Sequence, residues 1–352
     1  MDLLRNREIA ELLARAAETA ERGSDKAKAL RRASRRALLW PVEIGQLRKQ
    51  QRSLTELSGV GPWLARVIGE WLDQDVEVPE PPPLRRGFQT ITEARVRVQS
   101  VGSLPIHGDL QMHTVHSDGL VSTVEMAEAA VQIGHSYIAV TDHGVGLRVA
   151  GGMSAESFVA QWEEIDRIHE GGLLSDPAFR ILKSAEANLD THGAPDMEPA
   201  ILASCDIVLG AFHSQLRRTE EQTSRYMAAI RGGSIDVLAH PRGRIYNFRL
   251  GLVARWEEVA REAARRQVAL ETDAYIDRQD LDMALLRVAA EQGAFVSIGS
   301  DAHHPIDLPS IDVGIAAVMG AGVPPERVLN CMTADRLMDW VREGRRLRRS
   351  VR

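Results

Sequence analysis

Residues 107–119 read HGDLQMHTVHSDG, three histidines and two aspartates in thirteen positions. GDLQMH has the composition of a short strand, and its last residue, His113, closes the run. Imidazole nitrogens and carboxylate oxygens are ligands for zinc, manganese and iron. One histidine at a strand end is usually a hydrogen-bonded structural residue, so the reading depends on whether the pattern recurs.

It recurs along the following two hundred residues. YIAVTDH ends on His143, RILKSAEA carries Glu186, IVLGAFHS carries His213, DVLAHP carries His240, and FVSIGSDAH carries Asp301 and His303. VALETDAY is a further strand candidate. Helical patterns such as TVEMAEAAVQIG, ESFVAQWEEIDRIHE, LVARWEEVAREAARR and DMALLRVAAEQG lie between most of them. Alternating β and α units predict a parallel sheet, and seven strands predict an α/β barrel; an open doubly wound sheet is the alternative. Either way the C-terminal strand ends carry the site. The polar residues are therefore expected to converge into one metal-binding cup.

Gln111 and His113, like Asp301 and His303, stand two apart and share a face in extended backbone. Asp109, His116 and His304 are weaker candidates, as neighbours of ligands. His135, His169 and His192 read as structural. Cys205 and Cys331 lie far apart, so no sulfur clip or disulfide framework is suggested. A donor set of nitrogen and oxygen favours an open catalytic site over a zinc finger.

The 352 residues suffice for one large domain and a small one. No apolar run approaches the roughly 20 residues of a membrane span. MDLLRNREIAELLARAAE lacks a signal-peptide core, so a reduced, cytoplasmic protein without a membrane partner is expected. Residues 1–100 hold 18 Lys+Arg against 14 Asp+Glu, while residues 101–352 hold 25 against 35. The pairing of a basic with an acidic half is compatible with a nucleic-acid partner without requiring one. Only four of the 43 cations are lysine, and such a global arginine bias reduces the weight of arginine richness alone.

Residues 1–76 are expected to be a helical domain, 77–104 a proline-rich linker around VEVPEPPPLRRG, 105–342 the α/β domain, and 343–352 a basic tail. A linker of this kind is expected to keep two separate cores. LTELSGVGPWLARVIGEWL at 54–72 resembles a helix-hairpin-helix, a motif whose Gly-x-Gly turn, here Gly59 and Gly61, would bring backbone N–H groups to a DNA phosphate, with Arg66 the nearest cation. A glycine turn that merely packs two helices is the competing reading.

Taken in order, GDLQMHTVHSDG, YIAVTDHG, RVAGG, KSAEAN, GAFHS, VLAHP, DAYIDRQDL and GSDAHH resemble the PHP (polymerase and histidinol phosphatase) domain, most closely that of bacterial family X DNA polymerases. The N-terminal residues resemble the small helical domain of those polymerases. The resemblance implies a distorted (β/α)7 barrel with three divalent metals, zinc, manganese or iron. It implies ligands at Gln111, His113, Asp118, His143, Glu186, His213, His240, Asp301 and His303. Gln111 stands where many relatives have histidine, and Asn188 where an acid is common. No polymerase palm fits in the roughly 30 residues between the two modules.

The expected activity is metal-dependent phosphoester hydrolysis, with His143, Asp301 and His303 at the chemistry and Arg148, Arg244 and Arg278 as candidate phosphate grips. Nucleic-acid 3′ ends, processed by an exonuclease or 3′-phosphatase in DNA repair, are the expected substrate. A small phosphomonoester of the histidinol-phosphate type is the alternative, and a non-catalytic metal-stabilised scaffold a further one. The terminal REGRRLRRSVR is either a phosphate-binding arm or a helix end whose cations favour the dipole. Oligomeric state is left open.

Overall fold

A computed structural model describes residues 4–74, 76–102 and 104–350. Four N-terminal helices, α1 (Asn6–Thr19), α2 (Asp25–Ala37), α3 (Ile44–Lys49) and α4 (Pro62–Asp73), precede α5 (Ile91–Val101). The strands are β1 (Gly108–Met112), β2 (Tyr137–Val140), β3 (Arg180–Asn188), β4 (Ile207–Ala211), β5 (Val237–Ala239), β6 (Ala269–Asp273) and β7 (Val296–Gly299). Between successive strands lie α6 (Thr123–Gln132), α7 (Ala155–Glu170), α8 (Pro199–Ser204), α9 (Thr223–Gly232), α10 (Trp256–Arg266) and α11 (Met283–Glu291). After β7 come α12 (Ile311–Ala321) and α13 (Ala334–Ser350).

All six strand pairings are parallel and follow chain order. The two ends of the sheet meet. Asp301 N–H donates to the Gln111 carbonyl at 3.0 Å and His113 N–H to that of Ala302 at 2.8 Å, so a nearly closed barrel replaces the open-sheet alternative.

Strand alternation divides the side chains into two layers. Ile138, Val140, Ile181, Val208, Leu270 and Ile298 face the surrounding helices. Tyr137, Leu182, Leu209, Val237 and Ala269 face inward at the N-terminal end, sealed by Leu337, Met338, Trp340 and Val341 of α13. Two and four residues further along the same inward rows stand Glu186, Glu271, Asp273 and, past β4, His213. The barrel interior thus passes from hydrocarbon at one end to ionisable groups at the other.

Several boundaries differ from the sequence reading. Part of the expected linker is α5, started by the Thr90–Glu93 capping box. Residues 343–350 of the expected tail continue α13, and residues 351–352 lie outside the described residues. Two of their cations are spent internally: Arg345 reaches the buried Asp236 at 2.6 Å, and Arg348 pairs with the same carboxylate. The two expected cores are also fused. Ile9, Leu13, Leu30 and Trp40 share one apolar contact surface with Phe88, Ile91, Tyr246, Ile276 and Val313. The reason lies in the linker itself, whose Arg85 is buried between Glu11 (2.7 Å), Glu18 (2.5 Å) and Asn247 (2.6 Å), fastening α1 to a barrel loop.

Candidate metal centre

Every ligand expected from the sequence sits at the C-terminal end of the barrel, and Glu186 is the hub. Its Oε1 lies 3.0 Å from His240 Nε2 and 3.1 Å from His213 Nε2. Its Oε2 accepts from Gln111 Nε2 at 3.0 Å and lies 3.4 Å from His113 Nε2 and 3.6 Å from His143 Nδ1. On the other side, His113 Nε2 is 3.0 Å from Asp301 Oδ1. Asp118 Oδ1 approaches His303 Nε2 at 3.4 Å and His143 Nε2 at 3.6 Å. The His113 ring stacks against those of His143 and His303 at 4.4 and 4.5 Å between centroids.

Three sets of donor atoms lie close enough to share a cation: His113, Asp118, His143 and His303; His143, Glu186 and His213; His113, Glu186 and Asp301. His240 stands outside these sets but touches Glu186. The donors fit a metal on independent grounds. Buried Nδ1 atoms of His113 and His143 and the Oε1 of Gln111 have no hydrogen-bond partner in the protein. Buried polar atoms without partners are costly, and a cation in the cup would satisfy these three.

The imidazoles are also aimed. His303 Nδ1 lies 2.7 Å from the Asp301 carbonyl, which fixes a proton on Nδ1 and turns Nε2 toward the cup. His213 Nδ1 lies 3.2 Å from the Asn188 side-chain oxygen, with the same consequence. Asn188 therefore orients a ligand, and an amide oxygen serves where an acid is common. Asp301 and His240 hold positive φ values of 52° and 26°. That conformation is uncommon outside glycine, and at a site it reflects positions fixed by the surroundings.

Electrostatics follow from packing. Burial raises Glu271 and Asp273 well above the usual carboxylate range, reinforced by the neighbouring Asp301. Burial opposes ionisation of Asp301 too, but Arg278 and His113 outweigh it and hold its carboxyl low. Burial takes His143 down to about 4. His303 is pushed up to about 9: burial works against its charge, and the Asp118 hydrogen bond and Asp301 overcome it.

Sequence reading overlooked three acids. Glu271 and Asp273 lie on the inward row of β6, and their spacing of two in VALETDAY was the available signal. Asp142, in TDH, accepts from Thr114 N–H (2.9 Å), Thr114 Oγ1 (2.7 Å) and Gln161 Nε2 (2.5 Å), so it pins the loop carrying Asp118. Gly299 keeps room for this layer, since a Cβ there would meet Glu271 Oε1 at 2.5 Å.

The three arginines separate. Arg278 reaches the cup, its Nη1 3.2 Å from Asp301 Oδ2, with 30% of its side chain exposed. Arg244 does not: it is buried against the Phe88 ring and bonded to Asp282 and the Arg278 and Gly87 carbonyls. Arg148 is exposed, and its side chain forms no hydrogen bond or ion pair with a cup residue among the described residues. In the helical region, Gly59 has φ 81°, and a Cβ there would meet Arg36 Cδ at 2.6 Å. Gly61 caps α4 with space around it, and Arg66 is exposed. Gly59 is thus required locally by the turn and by Arg36 lying across it.

No family model matches the chain. It is 34% identical over 251 residues to the DNA polymerase/3′-5′ exonuclease PolX of Bacillus subtilis, covering 71% of this chain and 43% of that protein. The chain thus spans less than half of this relative. It is 29% identical over 248 residues to a probable phosphatase of Edwardsiella ictaluri, 67% of this chain and 95% of that one. Among solved structures, histidinol phosphate phosphatase of Lactococcus lactis, complexed with zinc, L-histidinol and phosphate, superposes with a TM-score of 0.47 at 16% identity, over 63% of this chain and 95% of that one. No helix among the described residues is long and apolar enough to cross a membrane.

Proposed function

We propose that the chain is a metal-dependent phosphoesterase that processes the 3′ ends of nucleic acid, as a 3′-5′ exonuclease or 3′-phosphatase. The enzyme class rests on one observation above all: Glu186 gathers four imidazoles and an amide around a barrel mouth that holds three overlapping donor sets. The ligands would be Gln111, His113, Asp118, His143, Glu186, His213, His240, Asp301 and His303, taking three zinc, manganese or iron ions. Divalent ions held there supply an acidified water and neutralise charge on a phosphoryl group.

The protein's own groups divide by depth. Glu186, His113, Asp301, His143 and His240 are almost fully enclosed, and they hold the centre. Asp118, His303, His213 and Arg278 keep part of their surface open and form the rim that a substrate meets. Arg278 is placed to hold a phosphate oxygen, since its guanidinium is already at the cup and charge-assisted bonds to phosphate are strong. His303, on the rim, has Nδ1 held by the Asp301 carbonyl and Nε2 toward the cup, so its role there is that of a ligand at the edge a leaving oxygen would meet.

The 3′-end substrate draws on the PolX similarity and on the helical region fastened to the barrel. The phosphatase relatives, which match across nearly their whole length, favour a second reading: a small phosphomonoester. A non-catalytic scaffold is the weakest reading, because nearly all of the donor set is retained.

The deciding experiment supplies manganese or zinc and compares end-labelled single- and double-stranded DNA with histidinol phosphate and other small monoesters. A kcat/KM on any DNA 3′ end above that for the monoesters is expected. The reverse order would replace the 3′-end reading with the small-molecule one.

A further inference from the structure

The expected DNA contact was the glycine turn at 59–61. A different surface has the stronger physical case. Exposed Lys28, Arg31, Arg32, Arg35 and Arg36 of α2 line an open groove of about 490 Å³, whose far wall is Tyr275 and Asp277 in the loop after β6. Their spacing of three and four residues puts them along one side of the helix, over roughly 12 Å of its axis. Asp277 is the sole carboxylate of the lining and is already engaged, 3.0 Å from Arg35. Among the described residues Arg31 and Arg32 form no ion pair, whereas Lys28 lies 3.1 Å from Asp25.

The loop that walls the groove also borders the cup. Asp277 holds Arg35 on the α2 side, while its neighbour Arg278 reaches Asp301 at 3.2 Å on the cup side. The Tyr275 ring, part of the groove wall, lies 6.3 Å from the ring of His303. The loop is held from behind. Gln279 bonds both ways to the backbone of Gln89, and Ile276 is buried with the helical core. A cationic face supplied by one module and a metal cup supplied by the other are thus joined by five residues.

We infer that a single-stranded phosphodiester chain lies along α2, its phosphates on Lys28, Arg31, Arg32 and Arg36, and passes Tyr275 so that its terminal phosphoester enters the cup. This rests on the phosphoesterase reading above and specifies how a polyanion approaches a barrel whose own net charge is negative. Electrostatic contacts of this kind position the backbone without reading sequence. DNA and RNA share that backbone chemistry.

The test uses the full-length, metal-loaded protein. Wild type, R31A/R32A, R31K/R32K and R66A are assayed on 20-nucleotide single-stranded DNA and RNA, and on bis(para-nitrophenyl) phosphate, across a salt series. R31A/R32A is expected to lower kcat/KM on the oligonucleotides about tenfold or more. It should also reduce the salt slope by about 1.4, two contacts at roughly 0.7 each. Hydrolysis of the small diester should be unchanged, and R31K/R32K and R66A should stay near wild type on every substrate. If wild type degrades the oligonucleotides and R31A/R32A matches it in rate and salt slope, the track along α2 is wrong and the nucleic-acid reading survives. If wild type cleaves the small diester but no oligonucleotide, the nucleic-acid reading falls and this track falls with it.

Discussion

Glu186→Gln tests the centre at its hub. The substitution keeps size and one acceptor oxygen but removes the charge that two of the three donor sets share. Loss of groups that merely support a ligand costs about 10- to 100-fold in metal affinity, and a shared ligand should reach the upper end. At metal a thousandfold above Kd, binding stabilises the folded state by about 4.1 kcal/mol, and at tenfold by about 1.4. A hundredfold weakening therefore removes roughly 2.7 kcal/mol per affected ion. At about 2.1 cal/mol/K per residue, 352 residues give an unfolding entropy near 0.7 kcal/mol/K, so each ion lost in this way is worth about 4 °C. The metal-free protein should lose stability too. Burial opposes the charge of Glu186, but His143 and His240 overcome it and hold its carboxyl well below the usual range, so the charge favours the folded state at neutral pH. The variant should then melt below wild type without metal, and the gap should widen by about 4 to 8 °C with saturating manganese. Elemental analysis and thermal melts with and without manganese measure this, alongside turnover of a chromogenic diester, which should fall at least a hundredfold. Wild-type metal content together with a wild-type metal-induced shift would refute the assignment of Glu186 as the shared ligand.

His135 gives a pH signature separate from the cup. Burial holds its imidazole down to about 4, and Nε2 has no partner. Between that value and its unfolded 6.5 the unfolded chain binds a proton that the folded one refuses, so stability is lost as pH falls through this window. His135→Gln should recover about 2 to 3 kcal/mol of that acid loss, read from urea midpoints at pH 7.5 and 4.5; parallel wild-type and variant profiles would exclude it. Asp236→Ala leaves Arg345 and Arg348 facing an empty buried site, at a cost of about 3 to 5 kcal/mol. A change below 1 kcal/mol in urea unfolding would mean the pair contributes no net stability. Removing residues 1–76 exposes the buried surface of Tyr246, Ile276 and Val313, so the truncated barrel should precipitate or melt well below the full chain. A truncated protein with an unchanged melting temperature would restore the picture of two independent cores.

The barrel and its cup were legible because each strand signals locally: an apolar run closed by a metal-seeking side chain needs no knowledge of its neighbours. What the sequence hid was pairing between distant residues. Arg244 sits beside a motif, yet a bare sequence does not reveal that Asp282 and the Phe88 ring take up its guanidinium. Arg85 looked like part of a linker because Pro81, Pro82 and Pro83 precede it, and its carboxylate partners lie more than sixty positions away. Glu271 and Asp273 were hidden for a different reason. Acidic residues in a strand normally mark a solvated face, and only barrel closure turns that face inward.

That inward acidic layer bears on how the two halves divide their work. A cup holding Glu186, Asp301 and Asp118, with Glu271 and Asp273 close by, attracts cations and repels a phosphate chain until metals are bound. Loaded with divalent ions, the same cup reverses sign at short range, but at about 8 Å physiological salt already screens most of its reach. Long-range attraction must then come from elsewhere. The exposed cations of α2 stand at an edge of the mouth where a loop, Tyr275 to Gln279, belongs to both the helical core and the cup. Under the proposed nucleic-acid function, the fusion of the two cores holds the α2 cations at a fixed distance from the cup, which a flexible proline linker alone would not.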